Sequence, residues 1–255
     1  MIRFIKSQNV RSVALFLVGG VFLWQAIGTN ARAALLISSP SRVCRYFISN
    51  QGDLIDDLAQ TSIEALLGII LATTISFAIM LVCFYWPRLL ATILPVTALS
   101  QVIPLITLAP LFILLFGIGT LSKLMMAALI CFFPIFVGFA AGVRQISDEV
   151  LTVLYVYGAT VWQRIRWAYL PQSLPHLMAG LKVASTLAVI GAIVAEFNGA
   201  DIGLGKNLFL AAKKLEPELM MSSLILSSVL GGALFAGTVV IEWSFGKWYM
   251  KGKTI

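Results

Sequence analysis

Apolar residues run in long blocks along this chain, and polar residues fall between the blocks. Crossing a hydrocarbon core as a helix takes about 20 apolar residues. Blocks of that kind lie near residues 12–29, 62–84, 90–116, 121–142, 177–198 and 219–244. Lipid offers no hydrogen bonds to a backbone, so each block is predicted to be helical. The expected fold class is therefore all-α: a polytopic transmembrane bundle of six spans, forming a single domain over residues 1–255. The first block follows MIRFIKSQNVR, which has the look of a signal peptide. No small-residue cleavage site follows at the usual spacing, so the block is read as an uncleaved first helix.

The third block breaks the pattern, because Pro95, Pro104 and Pro110 interrupt it. Each proline removes an amide donor and crowds the preceding turn. Such breaks persist at membrane depth only where protein or water satisfies the freed backbone. This segment is expected to face the protein interior, and Gln101, Pro104, Thr107 and Pro110 become candidates for a translocation path. A kink with no transport role is the alternative.

Composition supports lipid as the solvent. The chain is 60% apolar and 11% charged over 255 residues, and soluble domains carry about twice that charged fraction. The net charge of +7 comes from basic residues that punctuate the apolar blocks. No basic cluster with interleaved aromatics appears, which argues against a nucleic-acid partner. Cys44, Cys83 and Cys131 are scattered, with neither a CxxC pair nor a neighbouring histidine, and read as small apolar fillers.

Lysine and arginine set the orientation. With the N-terminus in the cytoplasm, the inside segments hold Arg3, Lys6, Arg11, Arg88, Arg144, Arg164, Arg166, Lys247, Lys251 and Lys253. The outside segments hold Arg32, Arg42, Arg45, Lys123, Lys206, Lys213 and Lys214. Both termini are therefore placed in the cytoplasm, and so is the long loop near 143–176.

That loop is too polar to span and too apolar for a plain linker. Ser147 followed by Asp148 and Glu149 reads as a helix start with acids in its first turn. Leu151, Leu154, Tyr155 and Gly158 recur at helical spacing, and Trp162, Ile165 and Arg166 continue in a second short helix. Pro171 and Pro175 are expected to stop helix before the fifth span begins. An amphipathic element at the membrane face suits either a lipid surface or a docked partner.

Single polar residues within the spans have readings of their own. Glu196 fits a functional intramembrane carboxylate or one that faces water at the outer interface. Lys182 fits a snorkelling side chain. Glu242 fits a cytoplasmic surface acid pairing with nearby lysines. His176 is the only histidine and reads as structural. The chain contains no GxxxxGK[ST] phosphate loop, no HxxxH and no nucleophile elbow. It is not expected to be an enzyme or to hold a cofactor.

The loop resembles the coupling segment of binding-protein-dependent ABC permeases. The family pattern is E-A-A, three residues, glycine, nine residues, I-x-L-P. Gly158, Leu170 and Pro171 fall on its glycine, leucine and proline. Ala168 stands at the isoleucine, while Thr152, Val153 and Leu154 replace E-A-A. GATVWQRIRWAYLPQSLPHLMAGLKVA is similar to the nitrate/sulfonate/taurine class, as are ISSPSRV, PLITLAPLFILLFGIGTLSK, VAEF and GADIGLGKNL. The likeness covers about residues 35–210. Glu64 departs from it, because that position is commonly basic in the class.

The resemblance implies a type I ABC importer permease in a bacterial plasma (inner) membrane. Its partners would be a second permease copy in a homodimer, two ABC ATPase subunits that bind the ATP and Mg, an extracytoplasmic substrate-binding protein, and the lipid bilayer. The class handles nitrate, sulfonates, taurine, thiamine pyrimidine precursors and riboflavin, so the cargo would be a small polar or anionic solute. Tyr155, Tyr157, Gly158, Ala159, Trp162, Leu170 and Pro171 would form the ATPase-coupling surface, with Glu196 and the third-block residues along the path. A carrier or channel driven by an ion gradient is the competing reading, and a membrane scaffold is a third.

Overall fold

The computed structural model describes residues 18–29, 37–100, 102–197 and 199–251. Gln101 lies outside the described residues. Every regular element among those described is helical. In chain order they are α1 (Val18–Thr29), α2 (Pro40–Ser49), α3 (Gln51–Tyr85), α4 (Pro87–Ser100), α5 (Ala109–Phe116), α6 (Thr120–Arg144), α7 (Asp148–Val156), α8 (Val161–Arg164), α9 (Leu170–Glu196), α10 (Leu204–Lys214) and α11 (Pro217–Lys251). Four helical segments are long and apolar enough to cross a membrane: Gln51–Tyr85, Thr120–Arg144, Val161–Glu196 and Pro217–Ser244.

α6 and α9 form the centre, with α3 against both. Their meeting faces hold Cys131, Ile135, Phe136, Phe139, Ala140, Ala184, Ala188 and Ala192, all buried. Met80 and Ala72 of α3 close the same cluster. Phe139 stacks on Phe77 at 5.8 Å, and Phe84 lies 4.6 Å from Tyr169. Between apolar helices in lipid, association rests on close packing rather than on expulsion of water, so small residues belong at the crossing. Gly180 meets that need: a Cβ there would overlap the carbonyl oxygen of Pro134 and sit 3.1 Å from its carbon.

Several elements differ from the sequence expectation. The third block is not one helix. α4 ends at Ser100, a 3-10 turn covers Leu105–Leu108, and α5 follows. Pro104 stands immediately before that turn and Pro110 in the first turn of α5, where a missing amide does least harm. The second helix begins at Gln51, about three turns earlier than its apolar block. Residues near 204–214, read only as a motif, form α10, which ends on Leu215 in the left-handed conformation at φ 56°.

The prolines of the fifth span do not stop the helix. α8 runs through a π turn at Ile165–Tyr169 directly into α9, past Pro171 and Pro175. Pro171 sits in the first turn of α9. A wider turn just before a proline makes room for the ring that an unbroken α-helix would crowd.

Candidate functional site

The segment from α7 to the start of α9 leaves the bundle and returns to it. Ser147 precedes α7, and Asp148 and Glu149 fill its first turn, as the residues predict. The Glu149 carboxyl is held below its ordinary pKa by its own backbone amide and the Ser147 hydroxyl. α7 has no buried residue. Its end is a tight glycine-based stop. Gly158 adopts φ 69°, its amide donates to the Tyr155 carbonyl at 2.9 Å, and the Ala159 amide reaches back to Leu154 at 2.9 Å. This pair of bonds is the Schellman arrangement, whose left-handed residue is glycine because a Cβ is disfavoured there.

The chain then restarts on a capping box. The Gln163 amide donates to Thr160 Oγ1 at 3.3 Å, and the Thr160 amide donates to Gln163 Oε1 at 2.7 Å. Stop and restart together fix the angle between α7 and α8. Thr-x-x-Gln is legible in sequence, yet it was not part of the expected site. Thr160→Ala is expected to loosen α8 at a cost of about 1 kcal/mol. Faster amide exchange at residues 161–164 with an unchanged global melting point would show it.

The side chains of this segment divide into two sets. Ile165 and Ala168 are buried, and Leu170 packs against the main core. Tyr155, Tyr157 and Trp162 are 75%, 86% and 60% exposed. Ala159 and Pro171 are half-buried between the two sets. The alanine at the family's isoleucine position is thus an anchor to the bundle, and the aromatics form an unpartnered outer face.

The path candidates are not gathered in one place. Pro104, Thr107 and Pro110 lie on the exposed side of the broken third segment, beside Val102, Ile106 and Leu114. The Thr107 hydroxyl donates to the Pro104 carbonyl at 2.6 Å. The segment was expected inside the protein; in the single chain it lies on the surface.

Glu196 is elsewhere, 1% exposed, at the end of α9. It accepts from the Gly205 amide at 2.5 Å and from Thr61 Oγ1 at 2.7 Å. Asp57 accepts from the Gly203 amide at 2.7 Å and from Asn207 Nδ2 at 2.6 Å. Buried side chains of α3 and α9 thus satisfy the opening amides of α10, and α10's N-terminal dipole favours their negative charge. Glu64, in the same region, pairs with Lys123 at 3.1 Å and accepts from Gln60 at 2.7 Å. Glu64, the position at which the sequence departs from the resembling class, thus has its basic neighbour on α6. Lys182 and Glu242, assigned separate roles from sequence, pair with each other at 2.5 Å.

The comparisons with known proteins agree with this architecture. The chain is 35% identical over 154 residues to the riboflavin transport system permease protein RibX of Chloroflexus aurantiacus, covering 60% of this chain and 58% of that protein. It is 32% identical over 205 residues to the formylaminopyrimidine transport permease protein ThiX of Halalkalibacterium halodurans, covering 78% and 80%. It is 25% identical over 231 residues to the putative aliphatic sulfonates transport permease protein SsuC of Bacillus subtilis, covering 89% and 84%. Residues 65–246 match the binding-protein-dependent transport system inner membrane component family, so this chain belongs to that family of ABC importer permeases.

Proposed function

We propose that this permease forms one half of a two-copy pore, and that the exposed face from Tyr155 to Trp162 docks a separate ATPase subunit. The observation that carries the docking role is an aromatic surface held at a fixed angle and joined to the core. Tyr155, Tyr157 and Trp162 point away from the bundle, while Ile165, Ala168 and Leu170 tie the same segment into it. A rigid lever needs both ends. Aromatic anchors suit binding in a groove, and the unbroken run from Val161 to Glu196 carries a push across the membrane.

The two-copy pore rests on the broken third segment. Its 3-10 turn and flanking prolines are exposed in the single chain. Irregular backbone at membrane depth needs protein cover or a water-filled cavity. A second permease copy around a central path supplies both, with Pro104, Thr107 and Pro110 along it. The short helices Val18–Thr29 and Pro87–Leu99 would complete six spans with both termini in the cytoplasm of a bacterial inner membrane. An external binding protein would deliver the cargo, a small polar solute of the kind named for the relatives. ATP and Mg would be held by the ATPase subunits.

The test is a bulky residue at Gly158. No atom lies within 4 Å of the Cβ position there, so the substitution meets no clash. Its cost is the left-handed backbone, roughly 1–2 kcal/mol. Gly158→Trp is therefore expected to insert normally while changing how α7 leaves the bundle, abolishing ATP-dependent uptake in cells. Normal uptake by the variant would refute the docking role.

A further inference from the structure

The two halves of α11 are held differently. In the first half Ser222, Ser223 and Leu230 are buried. Beyond Leu230 no side chain up to Ser244 is fully buried, although Leu234 still touches the core from a partly buried position. The change comes at Gly231 and Gly232, where nothing lies within 4 Å of either Cβ position. There a groove of about 440 Å³ opens between α9 and α11, lined by Thr186, Ile190, Ser228 and the two glycines. Helices in lipid are held by close packing, so a gap of this kind leaves the second half weakly held. Paired glycines are also where a helix bends with least resistance.

The hydroxyls of this stretch do not bridge the seam. Those of Ser227, Ser228, Thr238 and Ser244 all donate to carbonyls of α11 itself. Leu230, Leu234, Thr238 and Glu242 follow at four-residue steps, which keeps them on one side of the helix. At the end of that line Glu242 meets Lys182 of α9 at 2.5 Å, with the lysine side chain 26% and the glutamate side chain 36% exposed. Ser173 of α9 packs against Gly142 near the end of α6. Lys182 stands nine residues further along α9, about 13 Å deeper into the bundle. Charges on spanning helices are costly at such a depth and pair with one another. An apolar contact slides along a helix, whereas an ion pair fixes one register.

We propose that residues 233–244 form an arm that turns about Gly231–Gly232, and that the Lys182–Glu242 ion pair pins this arm to α9. Pinned, the arm moves with α9, the helix that runs without a break from Val161 to Glu196. Released, it swings away from α9 and widens the groove, while Ser222, Ser223 and Leu230 keep the first half of α11 in place. Both charged side chains are partly exposed, so they part without opening the packed core. The hinge and the pin thus give one helix two arrangements, the form that a switching element takes. The inference concerns the permease alone and stands whether or not the outer aromatics dock an ATPase.

The experiment measures distances between spin labels in the full-length permease, held in lipid nanodiscs. Cys44, the exposed native cysteine, is first replaced by serine; Cys83 and Cys131 are buried. One label pair, at Ala179→Cys and Val240→Cys, reads the arm, and a second, at Ile190→Cys and Val229→Cys, reads the first half; all four positions are exposed. With the ion pair intact, both distances are expected to be narrow. Lys182→Gln and Glu242→Gln each add a population several ångströms longer to the arm distance and leave the other unchanged. Exchanging the charges, Lys182→Glu with Glu242→Lys, returns the narrow arm distance. So does Gly231→Ala with Gly232→Ala placed on Lys182→Gln, because alanine stiffens the hinge and fits the open space there. An arm distance unmoved in either glutamine variant would overturn the proposal. Broadening of both distances would overturn it too, since the whole helix would then be leaving α9. A charge exchange that stays broad would show that attraction is not what holds the arm. Loss of folded permease in the glutamine variants would place the pair in the stability core and refute the hinge.

Discussion

Gly180→Leu is expected to remove folded permease from the membrane, whereas Ala179→Leu one residue earlier leaves it in place. At Gly180, a side chain meets backbone of α6: the Pro134 carbonyl group and Ile135 Cα at 3.2 Å. A neighbouring side chain changes rotamer to make room; a neighbouring main chain moves only as a helix. Separating α6 from α9 opens the layer of Phe136, Phe139, Ala184 and Ala188, and breaks the 3.3 Å contact of the Cys131 thiol with the Ala184 carbonyl. Overpacking a core costs about 1–3 kcal/mol where side chains yield, and here they are not what must yield. Marginal stabilities of about 5–15 kcal/mol leave little room for a lost central layer. Ala179 is exposed on the other side of the same helix. Its leucine variant controls for helix propensity and hydrophobicity. Membrane-fraction abundance and the melting temperature in detergent are the measurements, and a wild-type melting temperature for Gly180→Leu would show that the crossing tolerates separation.

The same crossing shows what a sequence of this kind reveals. α6 and α11 were legible because their apolar blocks are uninterrupted. The first three turns of α3 were not, because their buried stripe is polar. Leu54, Asp57, Thr61 and Glu64 follow helical spacing and all face inward, but three of the four carry oxygen. Their partners are the amides of α10 and the amine of Lys123, which no local pattern announces. The charge at Glu64 was visible as a departure from its family; the reason was visible only once α6 lay beside it. Pro171 and Pro175 misled for the opposite reason. Pro171 is accommodated by the π turn at Ile165–Tyr169, which widens the turn just before it, while Pro175 stands inside α9 with no such turn ahead of it. The segment proposed for docking was legible in composition and spacing, from Ser147 through Gly158 to Leu170. Which of its residues face the bundle and which face away was not, because α7 and α8 are too short to show an unambiguous apolar side.

Tyr157→Ala combined with Trp162→Ala is expected to abolish co-purification of the ATPase while leaving the permease as stable as the wild type. Both rings lie outside the packed cluster, and the helix before Tyr157 buries nothing. Truncating exposed side chains with no buried contacts changes folding stability by no more than about 0.5 kcal/mol. Binding is another matter. Aromatic anchors at the centre of an interface contribute about 2 kcal/mol or more each, and two of them together amount to a loss of affinity of a thousand-fold or so. An aromatic belt at the lipid boundary would account for the same exposure without any partner. The two roles separate in one pair of measurements. Belt residues would give wild-type ATPase recovery and an altered depth of insertion, read by accessibility labelling of engineered cysteines in α7. Docking residues give the reverse, with labelling unchanged and the ATPase lost. The buried half of the segment supplies the internal control: Ala168→Trp fills a 1% exposed position, so it acts on folding first and lowers permease abundance along with the bound ATPase. Only the outward aromatics separate the two quantities, and that separation is what a lever gripped by another protein requires.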